Sequence, residues 1–196
     1  MVPREIRGTR HKPGRMYSSL IFVVDALSGL YISMFALRFI LQWIRASYQS
    51  PLAQFVLEIT APLVVPARRV LPSIRGIDLP TLVVIVALEC VATLALFSIL
   101  GVWPPVDTFV VSVSLRLVTL ILWIYCSALF IYVVMSWLAG QVYNPSAATL
   151  AAIVEPLLRP VRRLVPPIAG LDVSPVIVLI VLQAVIYALP HWAFIR

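Results

Sequence analysis

Two pairs of adjacent arginines, Arg68–Arg69 and Arg162–Arg163, are the residues best equipped for chemistry. Each guanidinium is permanently charged and presents a planar fork that grips a phosphate or a carboxylate through two parallel hydrogen bonds. Each pair stands in the same frame. Pro62, Pro66 and Pro72 surround the first, followed by Gly76 and Asp78; Pro156, Pro160 and Pro166 surround the second, followed by Gly170 and Asp172. Neighbours on a helix point about 100° apart, so one arginine of each pair can reach an anion while the other turns toward the protein. Three roles fit that geometry: marking a membrane interface, binding anionic lipid or a partner, and lining a substrate or ion pathway.

Catalytic signatures are missing. The sequence holds no HExxH, no GxSxG and no Gly-rich phosphate loop. His11 and His191 sit in a basic tail and at the end of an apolar run, and Cys90 and Cys126 lie inside apolar runs without ligand spacing. The cysteines read as packing residues; no metal, no cofactor and no enzyme activity is expected.

The elements that must position the arginines are apolar. Of 196 residues 62% are hydrophobic and 12% charged, and mean hydropathy is +1.03. A soluble domain of this size has no way to hide so much apolar surface. That excludes a soluble enzyme, a disordered tail and a disulfide scaffold. The net charge of +7 sits mostly between the apolar runs, so anionic lipid headgroups are the expected counterpart and nucleic acid is not. Other membrane proteins, or further copies of the chain, are the expected protein partners.

A spanning helix needs about 20 mostly apolar residues. Four runs qualify: 20–44, 80–100, 117–139 and 173–194. Arg116 is expected at the boundary of the third, with residues 106–115 near the interface. Inside the spans, Arg38 lies near an end and is expected to snorkel. Glu89 lies near the middle of the second span, where an acid is costly and faces a bundle interior or water. It reads either as a protonated, hydrogen-bonded structural group or as a proton- or cation-handling one. Asp25 is shallower and within reach of water.

The chain is duplicated. Residues 43–78 align without gaps on 137–172, an offset of 94, with 13 of 36 positions identical. PLVVPARRVLPSIRGID in the first copy becomes PLLRPVRRLVPPIAGLD in the second. Each unit holds a span, this loop and a second span. Two spans per unit make the copies parallel, with both arginine loops on one side. The expected fold is therefore an all-α membrane protein of four transmembrane helices in two parallel two-helix repeats. Each repeat carries an interfacial helix and a Pro/Arg-rich loop. The boundaries are a basic extension over 1–15, a first repeat over 16–105 and a second over 106–196.

Within each loop, Pro51 and Pro145 open short helices. Leu52, Phe55, Val56 and Ile59 share one apolar face in the first; Leu150, Ile153 and Val154 remain in the second. Such a helix lies either in the interface or against the bundle. Pro62 and Pro156 are expected to end these helices, and Pro66 and Pro160 to open a further turn bearing the arginines. Gly76 and Gly170 are expected to supply a positive φ where the chain turns back. Asp78 and Asp172 are expected to cap the following spans, a role compatible with a salt bridge to the arginines.

At these residues the chain resembles the YggT family of bacterial integral membrane proteins, related to the YlmG proteins. The motif PxxPxRRxxPxxxGxD followed by an apolar span is found in both halves, and LRFILQW precedes the first. The resemblance covers residues 20–189. It implies a four-span inner-membrane protein. Family members are associated with osmotic or ionic stress, with division-gene neighbourhoods and, in chloroplasts, with assembly of cytochrome complexes. The expected function is a non-enzymatic envelope scaffold, assembly or stress-response factor docking through the arginine loops. The alternative is a subunit of a small oligomeric channel or transporter. Family resemblance also places the arginine loops in the cytoplasm and the termini outside. Charge counting alone gives seven cations on each side. Residues 1–15 hold no apolar run, and Met16 is the expected start; without them the positive-inside rule supports the same orientation.

Overall fold

Apolar stretches free of internal proline form helices here because in lipid every backbone group must be satisfied within its own segment. The computed structural model describes residues 15–44, 50–73, 77–138, 145–165 and 172–189. Among them are α1 (Arg15–Trp43), α2 (Pro51–Val70), α3 (Leu79–Leu100), α4 (Val106–Leu138), α5 (Pro145–Leu164) and α6 (Ser174–Ala188), and no strand. Three segments are long and apolar enough to cross a membrane: Ser18–Trp43, Leu79–Leu100 and Val106–Ser136. This is a helical membrane protein. α6 is equally apolar, but its 15 residues rise only about 22 Å. The expected fourth span continues over 190–194, outside the described residues.

The duplication carries through to the elements. An offset of 94 maps α2 onto α5 end to end, α1 onto α4 and α3 onto α6. α1 packs on α2 and α3, and α4 on α5 and α6; the halves meet through α1–α4, α3–α4 and α2–α5. Two apolar clusters hold them together. One gathers Leu41, Val56, Leu129, Ile153, Leu158 and Leu182. The other gathers Ile32, Phe35, Val64 and Ile85, and Ile124 packs against both. Lipid is as apolar as these side chains, so close packing rather than water exclusion drives the spanning helices together.

Three expectations need correction. First, Pro62 and Pro66 lie inside α2, and Pro156 and Pro160 inside α5, rather than ending one helix and starting another. Each proline forfeits the bond to the carbonyl four residues back. All four face outward, and the helices, held by packing on their buried faces, continue through them. Second, α4 starts at Val106 and runs unbroken through Arg116; the charge is neutralised there, as described below. Third, the buried face of α2 is Ala53, Val56, Thr60 and Val64, and Phe55 points outward at 58% exposure.

Local signals explain the ends. Ser50 caps α2, its hydroxyl accepting from the Ala53 N–H at 3.2 Å, with Pro51 in the first turn. α3 stops at Gly101, whose φ of 66° suits a residue without Cβ. The Val102 N–H donates to the Phe97 carbonyl and the Gly101 N–H to that of Ser98, both at 3.1 Å, a Schellman closure. Pro104 and Pro105 then prevent the helix resuming before α4.

Candidate functional site

Each arginine pair divides its labour in the same way in both repeats. Arg68 donates to Oδ2 of Asp78 at 2.7 Å, and its repeat-mate Arg162 donates to Oδ2 of Asp172 at 2.8 Å. The helix geometry that sends the first arginine to the aspartate sends the second elsewhere. Arg69 and Arg163 are exposed and make no ion pair among the described residues. α2 and α5 touch, so both second arginines stand on one paired-helix unit. Pro72 lies just past the end of α2, outside any helix. Gly76, Pro166 and Gly170 lie outside the described residues.

The two clamps differ in depth. Asp78 occupies the cap position of α3, but its side chain makes no capping bond to the helix backbone. Its side chain is fully buried and accepts from Thr81 Oγ1 at 2.7 Å as well as from Arg68. Asp172 is 36% exposed; Val173 rather than Asp172 holds the cap position of α6, and Asp172 Oδ1 accepts from the N–H of Ser174, the first residue of that helix, at 3.0 Å. Arg162 also reaches Glu155 at 2.9 Å, where the first repeat has Ala61. Burial alone would push the Asp78 carboxyl up, but hydrogen bonds from Arg68 and Thr81, with the nearby Arg68 and Arg38 charges, hold it below the ordinary carboxylate range. Asp172 is held low by Ser174 and Arg162, against the same opposing effect of burial.

That lowering has a consequence for stability. A carboxylate whose folded pKa lies below its unfolded value of about 3.9 stabilises the fold above that pH, and the contribution disappears as pH falls through the folded value. The melting temperature of the purified protein should therefore drop below about pH 4. The variant Asp78→Asn with Asp172→Asn should start lower and show a shallower acid limb. An unchanged acid limb in that variant would remove the clamps from the account.

Arg38 does not snorkel. It is 6% exposed and donates to Thr60 Oγ1 of α2 at 2.7 Å and, more weakly, to the Leu57 carbonyl at 3.4 Å. Thr60 in turn donates to Val56 O at 2.6 Å. Arg38 thus fixes α2 against α1 from within. Its repeat-mate Tyr132 stands beside Arg162.

The charge at Glu89 has a partner that sequence reasoning missed. Arg116 binds Oε1 of Glu89 through Nε and Oδ1 of Asp25 through a terminal nitrogen, the latter at 2.8 Å. Thr93 contributes a long contact to Glu89 at 3.5 Å. Glu89 is 1% exposed and Arg116 11%. The triad joins α1, α3 and α4, and only the first two belong to the first repeat. A signal was available. Asp25, Glu89 and Arg116 lie ten, eleven and ten residues from the same-side ends of their helices, which puts three isolated charges at one depth.

Sequence comparison now bears on this geometry. The chain matches CCB3/YggT twice, over residues 17–99 and 111–193, two stretches related by the same offset as the helices. The chain belongs to the CCB3/YggT family. It is 36% identical over 172 residues to an uncharacterised protein of Pseudomonas aeruginosa, covering 86% of each chain. It is 31% identical over 169 residues to the uncharacterised protein YggT of Escherichia coli strain K12, covering 86% of this chain and 87% of the relative. A Vibrio alginolyticus protein, described as uncharacterised in the proC 3' region, is 32% identical over 173 residues, covering 85% and 90%. No solved structure matches. In family terms, then, each CCB3/YggT unit of this chain consists of a long helix, a proline-containing amphipathic helix ending in Arg-Arg, and a second apolar helix opened beside an aspartate.

Proposed function

We propose that the protein is a multi-pass, non-enzymatic scaffold or assembly factor of the bacterial inner membrane, anchored to anionic lipid headgroups through Arg69 and Arg163. The carrying observation is the repeated division of the arginine pairs. Asp78 and Asp172 take one guanidinium each, and the other is left exposed on α2 or α5. Evolutionary reuse of one loop explains the clamps; it does not require a second arginine unless that residue has a partner outside the chain. A fork-shaped cation at the end of an amphipathic helix suits a phosphodiester headgroup.

The four-span reading goes with this. On that reading both units cross twice and both arginine pairs face the cytoplasm. Arg116, paired with both acids of the triad, leaves the outer tally of cations, which makes the count seven against six in favour of the loop side. A C-terminal alkaline-phosphatase fusion should be active in cells and a C-terminal fluorescent-protein fusion dark. The reverse pattern would overturn the orientation.

The anchor is tested by a pair of lysine variants. Arg69→Lys with Arg163→Lys keeps the charge and removes the fork. It should lower co-purifying phosphatidylglycerol several-fold after mild detergent extraction and leave the melting temperature alone. Arg68→Lys with Arg162→Lys should do the opposite. Full lipid retention by the first variant would reduce the second arginines to topology markers.

A further inference from the structure

A cavity of about 570 Å³ opens between α1 and α4, well inside the range of small-molecule sites. Its wall runs from Asp25 to Leu37 on α1 and from Arg116 to Ile131 on α4, with Leu150 of α5 at the far end. At helical rise that is a cleft about 20 Å long. It is polar at one end, where the triad sits, and mainly apolar along the rest. Gly29 borders this open volume, and a Cβ built there meets no atom within 4 Å.

The polar end is electrically unbalanced. Two carboxylates face one guanidinium. The ion pairs occupy Oδ1 of Asp25 and Oε1 of Glu89, and no hydrogen bond from a described residue reaches Oδ2 or Oε2. Ser33 and Thr119, which also line the cleft, direct their hydroxyl protons to the carbonyls of Leu30 and Leu115. They therefore donate nothing to the acids. An excess negative charge away from water is costly and is offset by a positive ligand. Trp123 lines the cleft two turns along from Arg116, and an aromatic face adds attraction for an alkylammonium head.

We propose that this cleft binds one amphiphilic monovalent cation, with its ammonium head at Asp25 and Glu89 and its apolar body along α1 and α4 toward Leu37 and Ile131. The site is separate from the arginine clamps and does not depend on the role assigned to them. Charge sign selects the head, and length and dryness select the body. Anionic amphiphiles meet the excess carboxylate, and neutral ones gain nothing from it.

The probe is radiolabelled dodecyltrimethylammonium, bound at equilibrium to the full chain in nanodiscs of zwitterionic lipid, with empty nanodiscs subtracted. On the wild-type protein, unlabelled dodecyltrimethylammonium should displace the label, and dodecanol and dodecyl sulfate should be at least about tenfold weaker competitors, the equivalent of about 1.4 kcal/mol. Glu89→Gln balances the triad at one carboxylate per guanidinium and installs the residue type that the second repeat carries at Gln183. It should fold and lose binding by a similar factor, as should Asp25→Asn. Gly29→Phe leaves every charge in place, fills the cleft and should also abolish binding. Displacement by dodecanol as effective as by the cation would mean that a proton already balances the acids and the cleft is merely apolar, and the proposal would fall. Unchanged binding in folded Glu89→Gln and Asp25→Asn, or in Gly29→Phe, would overturn it equally. Should the carboxylate variants fail to fold, the wild-type competition alone decides the charge requirement.

Discussion

Arg116→Gln is expected to prevent accumulation of the folded protein. The substitution leaves Glu89, at 1% exposure, and Asp25 without their common guanidinium. Removing one partner of a buried pair costs about 3–5 kcal/mol, because the remaining charge is uncompensated, and most domains have only about 5–15 kcal/mol to lose. The informative companion is the neutral triple, Asp25→Asn, Glu89→Gln and Arg116→Gln together. It removes the charges along with their desolvation penalty, and replacing a whole buried ionic group is often neutral or stabilising. Folded yield and melting temperature in detergent should therefore rank wild type and triple together, well above Arg116→Gln. If Arg116→Gln melts like wild type, the triad contributes no structure, and the three charges must be hydrated.

The second large effect separates two residues that the sequence presents as equals. Asp78→Ala should destabilise by about 1.5–3 kcal/mol, the range for hydrogen bonds to charged groups, since it strips both Arg68 and the fully buried Thr81 hydroxyl of their acceptor. Asp172→Ala should cost at most about 1 kcal/mol. That aspartate is 36% exposed, and Arg162 keeps its contact with Glu155. Side-by-side thermal melts of the two variants check it. Equal losses would mean that burial does not distinguish the clamps.

The comparison of Asp78 with Asp172 also marks how far the sequence could be read. Residue order carries the duplication, the apolar helices and the presence of an arginine–aspartate pair in each loop, since all are local patterns of type and spacing. Helix ends at Pro51, Gly101 and Pro145 are legible for the same reason. The prolines inside α2 and α5 run against the local signal, because a proline can kink a helix without ending it when packing on the other face holds the helix together. That depends on which way Pro62 and Pro156 face, a tertiary fact. Arg38 was misread likewise. Its reach permits snorkelling, and only the placement of Thr60 on a neighbouring helix decides against it. The triad lay furthest from view, because Asp25 and Arg116 are 91 positions apart in the chain and nothing local connects them.

The triad imposes an order in time. The chain is made from its N-terminus, so Asp25 and Glu89 leave the ribosome before Arg116 does. On insertion scales an acid at the centre of a lone helix is unfavourable by about 2.5–3.5 kcal/mol. Glu89 precedes Arg116 by 27 residues, and at about 5–20 residues per second the interval is about 1–5 s. For those seconds the first repeat is a nascent intermediate holding two acids and no counter-ion. The arrival of α4 ends that wait, so the second half of the molecule acts on the first as a folding latch, and the two halves of the duplication are no longer interchangeable in the order of their birth.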